Sequence, residues 1–192
     1  MATTRTFIAI EANDSVYAQS LAAIELLRPL TDNVRWVAPD QLHWTLQFLG
    51  DVEDTEIYTV CRNVSQVAMG FENFELSGLA LRAFPSIEKP RTIWLGAGEG
   101  SDTLCALQDH VEGRMADLGF RPDRQRFTPH LTLGRVQRGS HGGAALSAKL
   151  ADLADFDGGA MEVDEVIIFG SELTRDGPIY HVQGRSALAG GA

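Results

Sequence analysis

Residues 42–49 read Leu-His-Trp-Thr-Leu-Gln-Phe-Leu, a run in which apolar and polar side chains alternate. Such alternation is typical of a β-strand with one buried face, because successive side chains point to opposite sides of a sheet. We therefore predict a strand over residues 41–49 in which His43, Thr45 and Gln47 share the polar face. The opposite, apolar face needs a hydrophobic core to cover it.

A second run, residues 129–136, repeats this pattern as Pro-His-Leu-Thr-Leu-Gly-Arg-Val. Both runs contain His-x-Thr-Leu, and their histidines lie 87 positions apart in a chain with only five histidines. Alternation predicts that His130 and Thr132 share a face and that Arg135 points the other way, toward the core, unless Gly134 bends the strand. A half-exposed antiparallel strand is common, but its repetition around scarce histidines argues against coincidence.

The remaining elements favour an α+β fold with antiparallel sheets and helices outside, because strands and helices follow one another in mixed order. One His-x-Thr string falls in each half of the chain. The predicted strands are residues 5–11, 34–37, 41–49, 74–83, 92–95, 129–136, 161–169 and 179–184. The predicted helices end near residues 27, 68, 118 and 153. We expect a single domain over residues 1–185, followed by a flexible tail over the small, glycine-rich residues 186–192.

Composition narrows the class of function. The chain has 192 residues, 44% of them hydrophobic, which is enough for one well-cored domain or two small lobes. Its formal net charge of -10 disfavours an extended nucleic-acid surface but leaves room for a small anion in a locally basic cleft. Two cysteines and the lack of a leader-like or membrane-spanning stretch predict a reduced, cytoplasmic protein that acts away from membranes, and we expect a monomer.

Two imidazoles, each followed two residues later by a hydroxyl, suit phosphoryl chemistry without a metal. One ring can accept a proton while the other donates one, and the hydroxyls can hold the phosphate. Neither string carries carboxylates at metal-ligand spacing, so we expect no metal and no cofactor. No role is assigned to the other three histidines: His110 is interpreted as a surface residue of a helix, His141 as part of a mobile loop, and His181 as a neighbour of Tyr180 on a late strand.

The segments around the two strings resemble the two-histidine (2H, HxTx-motif) phosphoesterases, and among them the RNA 2′,3′-cyclic phosphodiesterases, also called 2′–5′ RNA ligases. The resemblance extends over about residues 4–182. The blocks that carry it are Arg35-Trp36-Val37, Leu42 to Gly50, Phe84-Pro85, Pro90-Arg91, Trp94-Leu95-Gly96, Phe127 with Pro129 to Arg135, Ser171, and Gly177 to Tyr180.

The resemblance implies a bilobal fold with pseudo-two-fold symmetry, a central cleft, and one His-x-Thr string from each lobe. It implies that the partner is an RNA with a 2′,3′-cyclic phosphate end, such as a tRNA half, which is opened to a 2′-phosphomonoester or joined through a 2′–5′ bond. It further implies that His130 is the general base and His43 the general acid. Thr45 and Thr132 would bind the phosphate, and Arg135 would contact the substrate.

Two alternatives remain open from the sequence. A related 2H phosphodiesterase could act on small cyclic nucleotides or on 2′–5′ oligonucleotides. A different class, a non-catalytic binder of RNA ends or nucleotides, could keep the same cleft. The intact His and Thr at all four motif positions argue against the binder.

Overall fold

Antiparallel strands and four α-helices make up the computed structural model, which describes residues 2–175 and 177–190. The strands are β1 (Thr3–Glu11), β2 (Val34–Trp36), β3 (His43–Glu53), β4 (Phe74–Phe84), β5 (Thr92–Ala97), β6 (His130–Val136), β7 (Asp157–Val163), β8 (Glu165–Thr174) and β9 (Gly177–Ala187). The helices are α1 (Asp14–Leu27), α2 (Ile57–Ala68), α3 (Ser101–Asp117) and α4 (Ala144–Asp152), with short 3-10 turns at Arg28–Leu30 and Pro39–Gln41. Within the described part of the chain, no helix is both long and apolar enough to cross a membrane.

The two motif strands, β3 and β6, lie next to each other at the centre of the sheet. The strand order is β7-β4-β5-β6-β3-β1-β8-β9, all pairs are antiparallel, and β2 adds to β6. Three further strands follow each motif strand outward, so the sheet consists of two halves of similar order. This arrangement confirms the predicted α+β fold with two antiparallel lobes related by pseudo-two-fold symmetry.

The sheet has two different faces, as β1 illustrates. Ile8 and Ile10 point into the main core, which the helices cover. Phe7 and Ala9 point to the opposite face and form a smaller apolar cluster with neighbouring residues of β8. The helical side of the main core is supplied by Val16, Ile24 and Leu27 of α1, Val60 and Val64 of α2, Leu104, Leu107, Val111 and Met115 of α3, and Leu146 and Leu150 of α4.

A β-bulge interrupts β3 at Leu46. Thr45 and Gln47 pair with consecutive residues of β1, so Leu46 is the extra residue of the pair of strands. An extra residue inverts the alternation of side chains beyond it. Gln47 therefore turns into the core, at 1% exposure, while Phe48 turns out of it, at 59% exposure. The prediction that Gln47 shares the polar face with His43 is wrong for this reason.

A matching bulge interrupts β6 at Leu133. Thr132 and Gly134 pair with consecutive residues of β5, which leaves Leu133 as the extra residue. Arg135 is consequently exposed, and the prediction from strict alternation that it points toward the core is wrong. The alternative that the strand bends at Gly134 is confirmed. Glycine is needed there because a Cβ atom would lie 2.8 Å from Cε3 of Trp36.

The predicted strand over residues 161–169 is two strands that meet at Asp164. β7 pairs with β4 in one half of the sheet, whereas β8 pairs with β1 and β9 in the other. The alternation of core-facing residues breaks at the junction, because the core residues Val163 and Val166 are three positions apart, with exposed Asp164 between them. Such a break shows where one strand ends but not which strands lie alongside, so the crossing between halves of the sheet is seen only in the tertiary structure.

The expected flexible tail is wrong for residues 186–190. β9 runs to Ala187, and the next side chain, Leu188, is only 2% exposed. The Leu188 N–H donates to the carbonyl of Asp164, which ties the segment to the β7–β8 junction. Buried leucine and backbone pairing outweigh the small, glycine-rich composition. Residues 191–192 lie outside the described part of the chain.

Candidate active site

The two His-x-Thr strings meet crosswise at the centre of the sheet. Trp44 of β3 pairs with Leu131 of β6, and both side chains point into the core. Because the strands are antiparallel, this register puts His43 across from Thr132 and Thr45 across from His130, all on the face opposite the core. Each histidine therefore faces the hydroxyl of the other string. The lobes together make one site, as the repeated motif predicts.

Both histidine rings are held by backbone carbonyls two residues upstream. Nδ1 of His130 lies 2.7 Å from the carbonyl oxygen of Thr128. His43 hydrogen-bonds the backbone of Gln41, a contact that favours its charged form. A ring that donates Nδ1–H to a carbonyl has its tautomer set, so Nε2 is left for proton transfer in the cleft.

His43 lies against an aromatic cluster on the cleft face of the first lobe, the half of the sheet formed by β3, β1, β8 and β9. Its ring centroid is 5.0 Å from that of Phe7, 6.2 Å from Phe169 and 5.5 Å from Tyr180, whose ring meets it edge-on. Burial among these rings lowers the pKa of His43 from 6.5 to about 4, because a charged imidazolium loses its hydration there. The charges of His130 and Arg135 lower that pKa further.

His130 has an equivalent aromatic environment in the second lobe. The centroids of two stacked rings, Phe84 and Trp94, lie 5.2 and 5.8 Å from that of His130, and both rings meet the imidazole at a steep angle. Burial lowers the pKa of His130 below its ordinary value, and the Arg135 guanidinium acts in the same direction. Both histidines are therefore neutral near pH 7 while the site holds no anion. A bound phosphate would favour the charged form of either ring.

A cavity of about 330 Å³ opens on this face. It brings together four of the five predicted site residues, namely His43, Thr45, Thr132 and Arg135; the fifth, His130, lies across from Thr45 at its edge. The rest of the wall comes from β2, the turn before β3, Phe48 and the β8–β9 hairpin. These further wall residues are Arg35, Trp36, Val37, Ala38, Gln41, Phe48, Gly177, Pro178 and Tyr180.

Two arginines give the cavity a positive wall in a protein of net charge -10. Arg135 is paired across the strands with Arg35 of β2. The Arg135 Nη1–H group donates to the hydroxyl of Thr92 at 3.4 Å, which leaves most of the guanidinium donors for another acceptor. A small anion in a locally basic cleft was compatible with the acidic composition, and this cavity has the required local positive charge. Planar guanidinium groups suit phosphate oxygens in particular.

Several wall residues were not singled out as site residues by sequence reasoning. Phe48 was placed on the core face by alternation, which the Leu46 bulge inverts. Trp36 is half-buried: it packs against the main core and also lines the cavity. Arg35 and Tyr180 stood in blocks that carried the family resemblance, and this was the one signal that pointed to them.

The other ionisable groups lie elsewhere. His110 is exposed, as predicted, and His141 and His181 are exposed too. His110 bonds the Ala106 carbonyl one helical turn away. Within residues 2–175 and 177–190, no three His, Cys, Asp or Glu side chains are grouped closely enough to hold a metal ion.

Comparison with known proteins agrees with this geometry. The family model of the 2′-5′ RNA ligase superfamily matches residues 15–172. An RNA 2′,3′-cyclic phosphodiesterase of Methanothermobacter thermautotrophicus is 34% identical over 92% of this chain and 94% of its own. One from Thermotoga maritima is 33% identical over 97% of each chain. Among solved structures, TT0787 of Thermus thermophilus has a TM-score of 0.82 at 23% identity, covering 97% of this chain and 98% of its own. E. coli LigT complexed with 3′-AMP has a TM-score of 0.77 at 23% identity with the same coverage.

Proposed function

Since the chain belongs to the 2′-5′ RNA ligase superfamily, we propose that it opens 2′,3′-cyclic phosphate ends of RNA to 2′-phosphomonoesters with its two histidines and no metal. The observation that carries the proposal is the crosswise register, which sets one imidazole and one hydroxyl on each side of a central point. A phosphate at that point would have a proton acceptor on one side and a proton donor on the other.

In the proposed mechanism, water attacks phosphorus in line with the 3′-oxygen. His130 accepts the proton of the water, and His43 donates a proton to the leaving 3′-oxygen. In-line displacement needs the entering and leaving oxygens on opposite sides of phosphorus, and this matches two rings that come from opposite lobes. Positioned proton transfer of this kind typically contributes about 10²–10⁴-fold in rate.

The remaining predicted residues would hold the phosphate. The Thr45 and Thr132 hydroxyls would donate to its non-bridging oxygens, where negative charge accumulates in the transition state. Arg135, turned into the cavity by the Leu133 bulge, would add a charged donor for the phosphate or the terminal nucleotide. The bound anion would also raise the pKa of His43 and so supply the charged ring that the acid step requires.

The size of the cavity supports a site for one terminal nucleotide, since about 330 Å³ lies at the lower end of the range for small-ligand pockets. The body of the RNA would remain outside, which is consistent with the net charge of -10. We expect a cytoplasmic monomer acting on ends such as those of tRNA halves. The E. coli relative has been solved with 3′-AMP, a mononucleotide, so free nucleoside cyclic phosphates are the second candidate substrate.

The test is incubation with an oligonucleotide that ends in a 2′,3′-cyclic phosphate, in the presence of a metal chelator. The expected product is the 2′-phosphate alone, resolved chromatographically from the 3′-phosphate. Nucleoside 2′,3′-cyclic phosphates assayed in parallel separate the two candidates by kcat/KM. Binding of the cyclic end without turnover would support the non-catalytic alternative, and loss of activity with chelator would contradict the metal-free scheme.

A further inference from the structure

Phe48 is a large aromatic residue that is exposed to solvent on the cleft face. Its side chain is 59% exposed, although phenylalanine is usually among the more buried residue types. One side of its ring is backed by Phe7, with centroids 5.7 Å apart, and the residue forms part of the cavity wall. The β-bulge at Leu46 is what turns it there. An aromatic surface is thus presented at the site rather than buried.

The strand order places Phe48 at a defined end of the site. Along β3 the cleft-facing residues run His43, Thr45, Phe48, and the register puts Thr45 across from His130. Phe48 therefore lies beyond His130, at the end of the site away from His43. By the same reasoning on β6, Arg135 lies beyond Thr132, at the His43 end.

The proposed chemistry gives these two ends different occupants. The leaving 3′-oxygen belongs to the terminal nucleotide, and His43 protonates it. That nucleotide therefore extends toward the His43 end, where the larger part of the cavity wall lies. The attacking oxygen enters on the other side, next to His130. Whatever carries that oxygen must lie at the end where Phe48 is exposed.

We propose that Phe48 is the platform on which the base of an incoming RNA strand stacks when its 5′-hydroxyl, rather than water, attacks the cyclic phosphate. This inference rests on the function proposed above and extends it to ligation. The 5′-oxygen forms a bond to phosphorus, and the bond from phosphorus to the 3′-oxygen breaks. The 5′-hydroxyl proton passes to His130, and His43 supplies the proton for the 3′-oxygen. A 2′–5′ phosphodiester results, with no oxidant, reductant or further reactant.

An unpaired base is well matched to such a platform. Stacking on an aromatic side chain does not depend on base identity, and removal of the ring typically weakens binding by about 5- to 150-fold per base. Water has no base to stack. Loss of the ring should therefore affect attack by an RNA strand far more than attack by water.

The experiment measures both outcomes in one reaction. The protein is mixed with an oligonucleotide ending in a 2′,3′-cyclic phosphate and increasing concentrations of a second oligonucleotide with a 5′-hydroxyl. Ligated and hydrolysed products are then quantified together. We expect Phe48→Leu, which keeps an apolar side chain against Phe7, to lower the ratio of ligation to hydrolysis by about 10-fold, mainly through a higher KM for the 5′-hydroxyl strand. Phe48→Trp, which keeps a stacking surface, should restore the ratio.

A matched control is Tyr58→Leu, because Tyr58 is an aromatic residue of α2 with 74% exposure and is outside the cavity wall. Its ratio should equal that of the wild type. Equal loss of ligation and hydrolysis in Phe48→Leu would overturn the inference and place the terminal nucleotide on Phe48 instead. Wild-type protein that hydrolyses the cyclic end but forms no ligated product would also overturn it, while leaving the proposed function intact. Absence of hydrolysis would contradict the proposed function itself.

Discussion

Leu46 and Leu133 occupy equivalent positions in the two halves of the sheet. Each is the last residue of a His-x-Thr-Leu string, and each is the extra residue of a β-bulge against the neighbouring strand. The bulges invert the side-chain alternation just beyond the threonines, so that Phe48 and Arg135 face the cleft. The repeated leucine therefore shapes the site through its position in the bulge, although its own side chain is buried.

We expect Gly134→Ala to weaken both folding and activity. A Cβ atom at Gly134 would lie 2.7 Å from Cγ1 of Val34 and 2.8 Å from Cε3 of Trp36, so β2 must move away from β6. Overpacking of this kind costs about 1–3 kcal/mol, measurable by urea unfolding. Gly113→Ala, at an open position in α3, is the control and should not destabilise the protein. An unchanged unfolding midpoint in Gly134→Ala would contradict this prediction, because it would show that β2 shifts with no loss of unfolding free energy.

Replacement of either motif histidine should nearly abolish turnover. His43→Ala and His130→Ala should each lower kcat for the cyclic-phosphate substrate by at least about 10²-fold, because each removes one proton transfer. The double variant should be little worse than either single one, since both rings serve the same step. Exposed His110, replaced by alanine, is the control. Substantial activity in either single variant would contradict the two-histidine scheme.

Arg135→Met should reduce kcat/KM by about 10- to 100-fold, the scale of one lost charged hydrogen bond to the substrate. Because the Arg135 charge lowers the pKa values of both histidines, its removal should raise both. NMR titration of the ring protons would detect that rise. If Arg135 had a purely structural role, the pKa values of the two histidines would not change. Arg138→Met, at an exposed position just past β6, should change neither quantity.

The pH dependence of kcat/KM should peak below pH 6.5. The proposed mechanism needs one charged and one neutral ring. Because burial lowers both pKa values, the doubly neutral form predominates in the free protein at higher pH. The rate should rise as the pH falls toward the peak and then decline when both rings become charged. The kcat profile should lie at higher pH, because bound phosphate favours the charged ring. An optimum of kcat/KM above pH 7 would contradict this order.

Stability should also depend on pH through His43. Its folded-state pKa of about 4 lies below the value of 6.5 expected in the unfolded chain, so the unfolded chain binds more protons between these values. Stability present above pH 6.5 is therefore lost as the pH falls toward 4, by about 3 kcal/mol from this group. Urea unfolding of wild type and His43→Asn at both ends of this range isolates the effect. An identical pH dependence in both proteins would show that His43 is not the source.

Much of the fold and of the site was accessible from the chain alone. The alternation in residues 42–46 and 130–133 identified two half-buried strands, and the repetition of scarce histidines identified His43, Thr45, His130 and Thr132 as a set. The structure contains both strands and brings the four residues together, because these inferences depend only on the alternation of neighbouring side chains and on residue chemistry. Strict alternation gave the wrong face of the sheet for Gln47 and for Arg135, because both residues lie just beyond a bulge.

The sequence by itself determined which His and Thr residues are proposed to carry the chemistry, and which face of each motif strand is apolar up to its bulge, since both depend on side chains a few positions apart. Only the tertiary structure decided that His43 faces Thr132 and Thr45 faces His130, and that the chain crosses between lobes at Asp164. Strand partners and bulges arise from contacts between residues far apart in the chain. Burial among Phe7, Tyr180, Phe84 and Trp94, which sets the proton affinity of the two rings, arises from the same contacts.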